Sequence, residues 1–206
     1  DLTRTSGSIL YFDRKVELND FGYLKKNDWL HFGIGHNVTK NGFPEKSSLE
    51  QIDVQYDFNY DADTKGNSNP IDFVYKNETQ FKDTSSFKYD FRFKSSGKNT
   101  TITRKDPVYP FVKIKNNLSV TTDFEAKNYR YWTYDWRMSF DKSSNYETWD
   151  SKGYRKRFFK IAGSLFPSEN IKIRTELRIK KEKEWLNWID SNHLAAYDLN
   201  QRIISL

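Results

Sequence analysis

The chain has 206 residues and a formal net charge of +6; 30% of it is charged, 17% is Phe, Tyr or Trp, and it holds one Met and no Cys. That much aromatic surface excludes a disordered chain, and the missing thiols exclude disulfides, thiolate metal sites and a cysteine nucleophile. No run approaches the roughly 20 apolar residues of a membrane-spanning helix, which leaves a soluble β protein or an outer-membrane barrel, the membrane class that a mean hydropathy of -0.90 does not betray.

Taken in chain order, the segments alternate apolar and polar residues with a period of two, the signature of strands with one greasy face. WLHFGIGHNV puts Leu30, Phe32, Ile34 and Val38 on one side. IDVQYDFNY sets Ile52, Val54, Tyr56, Phe58 and Tyr60 against Asp53, Gln55, Asp57 and Asn59. FVYKNETQF follows with Phe73, Tyr75 and Phe81, and SFKYDFRFK sets Phe87, Tyr89, Phe91 and Phe93 against Lys88, Asp90, Arg92 and Lys94. VKIKNNLSV is read as one strand through Val112, Ile114, Leu118 and Val120. YRYWTYDWRMSF aligns Trp132, Tyr134, Trp136, Met138 and Phe140. NIKIRTELRIK opposes Ile171, Ile173, Leu177 and Ile179 to Arg174, Glu176 and Arg178, and AAYDLNQRIISL closes the series. The expectation is about nine antiparallel strands, several near the roughly 9–11 residues that cross a bilayer at a tilt. KKEKEWLNWI (180–189) is the one helical candidate.

The connections carry a second pattern. KDTSS (82–86), EAKN (125–128) and PSEN (167–170) read as tight turns, and between them lie the long polar stretches GKNTTITRKDPVYP, DKSSNYETWDSKGYRKR and KKEKEWLNWIDSNH. Short and long connections alternate in outer-membrane barrels, whereas a soluble meander has no physical reason to alternate them. On the barrel reading Asp53, Asp57, Asp90, Arg92, Arg174, Glu176 and Arg178 line the lumen, while Tyr56, Phe58, Phe91, Phe93, Trp132, Tyr134 and Trp136 face lipid or its interface. Trp29, Trp132, Trp149, Trp185 and Trp188, near strand ends or in loops, would supply an interfacial belt. The alternative is a soluble β-sandwich or β-barrel binding module, whose interleaved aromatic and basic residues could stack sugars or bases. Alternation alone does not separate the two.

Reactive groups are sparse. His31 and His36 are five apart, hence on opposite faces of one strand, and His193 is remote. Glu182 and Glu184 sit in a Lys/Glu cluster that reads as solvated charge. No phosphate loop, nucleophile elbow or HExxH is present. The expectation is no enzyme, no cofactor and no metal. Basic residues interleaved with acids, as in KYDFRFK, point to a mixed-sign surface and not to a nucleic-acid partner.

Four stretches, VELNDFGYLKKNDWLHFGIGHN (16–37), TRKDPVYPFVKIKNNLSVTTDFEAKNYRYW (103–132), FFKIAGSLFPSENIKIRTELRIKK (158–181) and DLNQRIISL (198–206), resemble a family of Bacteroidota outer-membrane proteins. Its members carry an uncharacterised β-barrel domain behind a family-9-like carbohydrate-binding domain. The resemblance implies an all-β antiparallel meander that forms part of a transmembrane barrel in the bacterial outer membrane. The family's opening barrel strand, its binding domain and its later strands have no counterpart here. Residues 1–206 are therefore expected to be one β domain and an interior piece of a longer barrel. Its partners would be the lipid bilayer, the remainder of the barrel or other outer-membrane subunits. Its role would be that of a porin-like channel or a scaffold.

Overall fold

The computed structural model describes residues 1–12, 29–63, 66–99, 112–114, 116–129, 131–143, 155–190 and 193–205. Among them there is no helix. In chain order the strands are β1 (Leu2–Phe12), β2 (Trp29–Lys40), β3 (Leu49–Ala62), β4 (Asp72–Phe81), β5 (Ser86–Lys94), β6 (Gly97–Asn99), β7 (Val112–Ile114), β8 (Asn117–Tyr129), β9 (Trp132–Ser143), β10 (Arg155–Ser168), β11 (Ile171–Asp190) and β12 (His193–Ser205). Ten of them form one antiparallel meander in the order β1-β2-β3-β4-β5-β8-β9-β10-β11-β12, and β6 pairs with β7 in a separate ribbon. The large sheet is open, with β1 and β12 as its edges.

The sheet is a single layer. Strands pack appreciably only against their hydrogen-bonded neighbours, and the buried apolar residues among those described are Ala62, Ala126 and Ala162. A core of three alanines cannot hold a soluble sandwich together, because sandwich stability comes from two inner faces interdigitating. What holds this sheet is its continuous hydrogen-bond network and the cross-strand contacts on each face.

The connections fall at two distinct ends. At one end are 41–48, 82–85, 130–131 and 169–170; at the other are 13–28, 63–71, 95–116, 144–154 and 191–192. The alternation of short with long read from the sequence holds from 82–85 to 169–170 and fails at the last connection, where 180–190 is strand and residues 191–192 alone join β11 to β12. Its bounds differ in four places. The strand expected over 112–120 is split: Val112–Ile114 belongs to the ribbon, and Asn117 opens β8. The turn expected at 125–128 lies beyond Tyr129, because Glu125 and Ala126 still pair with Asp135 and Tyr134. Residues 180–189 are neither helix nor loop but the far part of the 20-residue β11, which forms a long hairpin with β12. Bulges between Glu182 and Trp185 and between Trp188 and Asp190, with Glu184 at φ 55°, shift the alternation there; that shift disguises the strand in the sequence. Finally, β1 is a strand that the alternation did not reveal. Thr3, Arg4, Thr5, Ser6, Gly7 and Ser8 offer no apolar face, and pairing with β2 along its whole length is what makes this segment extended.

Two local devices order the ends. At the long-connection end, Ser95 donates its amide to Ile71 O (2.9 Å) and Asn69 donates to Asp61 O (2.8 Å), tying the ribbon and the 63–71 connection to the sheet. Gly97 permits this approach: a Cβ there would lie 2.6 Å from Pro70 N and 2.9 Å from Asn69 C. Gly97→Ala is expected to push the ribbon away and to speed hydrogen exchange at the Ser95 and Lys98 amides, with the amides of β8–β10 unchanged.

At the other end, Asp83 organises the turn between β4 and β5. Its carboxylate accepts from the Ser85 amide (2.9 Å) and hydroxyl (2.5 Å), which holds its pKa below the usual carboxylate value. A depressed folded-state pKa stabilises the turn above the unfolded value near pH 4, and the gain is lost as pH falls through the lowered folded value. Hydrogen exchange at Ser85 is accordingly expected to accelerate, relative to its intrinsic rate, only below about pH 4. In Asp83→Asn that acid step disappears.

Candidate functional site

The cross-strand register sorts the side chains onto two faces. Paired residues share a face, so Asp57 aligns with Gly35 and Val74, and Val74 with Arg92 and then Ser119. Followed across the sheet, this puts Asp53, Asp57, Asp90, Arg92, Arg174, Glu176 and Arg178 together on one face. Tyr56, Phe58, Phe91, Phe93, Trp132, Tyr134 and Trp136 all lie on the other.

The polar face is a network of cross-strand pairs. Arg92 grips Asp72 with two donors, Nε to Oδ1 at 2.7 Å and a second closer contact from the terminal nitrogen. Lys88 meets Glu78 at 2.9 Å, and Arg137 meets Asp123 at 2.5 Å. The densest part spans β9–β11. There Asp135 takes Lys160 Nζ at 2.7 Å and Arg174 Nη2 at 3.0 Å, while Glu176 takes Arg178 and lies 3.7 Å from Arg174 and 3.9 Å from Lys160. Lys88, Asp123, Asp135, Arg137, Lys160 and Arg174 line a groove of about 420 Å³ on this face.

Across β2 and β3 the same face carries no Lys or Arg. Asp53 accepts from Thr39 Oγ1 (2.5 Å) and Gln51, Asp57 accepts from Gln55 Nε2 (2.6 Å), and His31 Nδ1 lies 2.7 Å from Asp61. Asp90 faces Lys76 and Thr121 in the register. The β2–β3 part of this face is therefore acidic, and the β9–β11 part is cation-rich and paired.

On the apolar face the rings touch one another across strands. Tyr56, Tyr75 and Tyr89 form a row with centroids 5.2 and 6.1 Å apart. Near the tight turns, Phe87, Phe124, Tyr134, Trp136 and Trp132 cluster at 5.5–6.2 Å. Nothing covers these rings among the described residues: Tyr56 is 42% exposed, Met138 46% and Leu165 56%. Trp132 sits at the tight-turn rim of this face. Trp29 does not share it; it stacks on Phe12 (5.5 Å) and leans on His31 (5.2 Å) on the polar face, because Phe12 and Trp29 are register partners there. Trp149 and the side chains of Trp185 and Trp188 lie outside the described part.

His31 and His36 stand on opposite faces, as their spacing requires, His36 Nδ1 lying 2.9 Å from Thr5 Oγ1. Among the described residues no group of three His, Asp or Glu side chains is placed to hold a metal. The sequence reading missed Asp135, Asp123, Asp72 and Lys160 as members of the polar face. Alternation marks Asp135, which sits between Tyr134 and Trp136, but nothing local says that Lys160 and Arg174 converge on it. No protein-family model, curated protein or solved structure matches the chain.

The two kinds of acid on the polar face differ in what they lose on neutralisation. Asp135→Asn strips two cations of their counter-charge and is expected to cost about 1–2 kcal/mol, the discount reflecting partial exposure. Asp57→Asn, with only a neutral donor at hand, is expected to cost under about 0.5 kcal/mol. Urea midpoints measured side by side under the same conditions check both.

Proposed function

We propose that this chain is wall of a transmembrane β-barrel in a bacterial outer membrane, serving as a channel or scaffold and not as a catalyst. The observation that carries the reading is the uncovered apolar face of a sheet one layer thick. Such a face, wide and rich in rings, aggregates in water, whereas acyl chains cover it at no cost in ordered structure. Strand lengths of 12 to 14 residues in β2, β3, β8, β9 and β10 suffice to cross the roughly 25 Å apolar band at a tilt. The placing of the connections of two to four residues at 82–85, 130–131 and 169–170 at one end, and of the long 13–28, 95–116 and 144–154 at the other, fits periplasmic turns and external loops, the two-residue 191–192 being the exception.

The polar face then lines the lumen. The acidic stretch on β3 and the paired cations on β9–β11 are the side chains that solutes would meet. Lipid demands that every backbone group be satisfied, so the free edges of β1 and β12 pair in the membrane, with each other or with further strands. As the first and tenth strands of a meander they run in opposite directions, which suits antiparallel closure. Whether the lumen conducts depends on that closure, and single-channel recording in planar bilayers reads it directly.

The test of the reading is insertion. The chain is expected to float with phosphatidylcholine vesicles and to have its tryptophan fluorescence quenched by brominated acyl chains, with Trp136→Phe removing part of that quenching. A chain that stays in solution without detergent and shows no quenching would sink the barrel reading. It would favour instead a soluble module using the Trp132–Tyr134–Trp136 cluster to stack sugars or bases.

A further inference from the structure

One feature of the apolar face is not apolar. Beyond Phe140, Phe159 and Ile179, at the long-connection end, this face turns abruptly basic: Lys142 on β9, Arg155 and Arg157 on β10, and Lys181 and Lys183 on β11. The register sets like against like. Arg155 lies directly opposite Lys142 on one side and Lys183 on the other, and Arg157 lies opposite Lys181. With strands about 4.8 Å apart and same-face neighbours roughly 7 Å apart along a strand, five cations share one small patch. Like charges directly opposite one another destabilise a sheet.

No acid on these three strands relieves them; on the neighbouring β12, Asp198 shares the parity of Asn200, the register partner of Lys181, and its carboxylate accepts from the Glu184 amide (3.1 Å). From the tight turns to Lys183, this face of β9, β10 and β11 carries no Asp or Glu, and among the described residues none of the five cations makes an ion pair. Their neighbours one residue away behave differently: Lys156 reaches Asp141 (3.7 Å) and Lys180 reaches Glu182 (3.2 Å), both on the polar face. The same three strands thus neutralise their charges on one face and leave them bare on the other. All five side chains are exposed.

We propose that Lys142, Arg155, Arg157, Lys181 and Lys183 form a binding site for a membrane lipid headgroup that carries more than one phosphate. The inference rests on the barrel reading. A Lys or Arg on a lipid-facing wall is costly at the bilayer midplane and nearly free of cost near the interface, so five of them together belong at headgroup level. There the abundant anion is phosphate, and arginine presents the fork that takes phosphate oxygens in pairs. A single phosphodiester leaves most of the patch's charge unbalanced; a headgroup with two phosphates spans both rows. In the register the five residues directly follow Phe140, Phe159 and Ile179, along which the same lipid's acyl chains would run.

The experiment uses the full chain reconstituted in phosphatidylcholine vesicles containing 5% cardiolipin, which has two phosphates, or 5% phosphatidylglycerol, which has one. After extraction in neutral detergent, retained lipid is counted per chain by mass spectrometry. The wild-type chain is expected to retain cardiolipin at least ten-fold over phosphatidylglycerol. Arg155→Gln/Arg157→Gln is expected to lose that retention, and Lys156→Gln/Lys180→Gln, the matched change on the other face of the same strands, to keep it. Equal loss in both double variants, or in neither, overturns the proposal. Displacement of the lipid by dissolved pyrophosphate at equal phosphate concentration overturns it too, by showing a site for free phosphate. If the wild-type chain fails to float with the vesicles, the barrel reading falls and takes this one with it; flotation without the retention difference defeats this inference alone.

Discussion

A sheet one layer thick must find cover for both of its faces outside itself, and the arrangement of this chain answers to that requirement. Outside β1 and the bulged far part of β11, the strands of the large sheet alternate strictly enough that two kinds of surface are made at once, and the antiparallel register keeps them apart across the sheet. A slip of one residue at any pairing would carry Phe and Trp to the charged side and Asp and Arg to the other. The ion pairs and ring contacts are the register's enforcement. Arg92 with Asp72 and Lys88 with Glu78 lock β4 to β5 on one face, as Tyr75 with Tyr89 does on the other.

The two halves of the polar face solve the problem of charge differently. On β2 and β3 the carboxylates take hydrogen bonds from Thr, Gln and His and keep access to water. On β9–β11 the acids are outnumbered by cations, and Asp135 and Glu176 each serve more than one. A lumen built this way would present a field across its width, negative toward β3 and positive toward β10 and β11, strongest where water is scarce. Among the described residues, the basic patch at the opposite face's rim gathers five charges with no ion pair, and it lies where a bilayer would supply one.

Much of this was legible in the sequence, for a reason that particular residues show. Asp53 and Tyr56, or Arg92 and Phe91, differ in face because they differ in parity, and parity is a local property that survives whatever the strand pairs with. The tight turns at 82–85 and 169–170 announce themselves through Asp, Ser, Glu and Asn. Where the parity breaks, the reading breaks too. The bulges around Glu184 hid the far half of β11, and the small polar residues of β1 hid a strand that exists only through β2.

By itself, then, the sequence determined that the chain is all β, that its strands are two-faced, and which named side chains fall on which face, since all of these follow from a period of two. Only the tertiary structure decided the pairing: that Lys160 and Arg174 meet on Asp135, that Trp29 turns to the polar face beside Phe12, and that Lys142, Arg155, Arg157, Lys181 and Lys183 stand together on one face. Those facts depend on register between segments far apart in the chain, which is set by hydrogen bonds and turns acting over the whole sheet and leaves no mark within a strand.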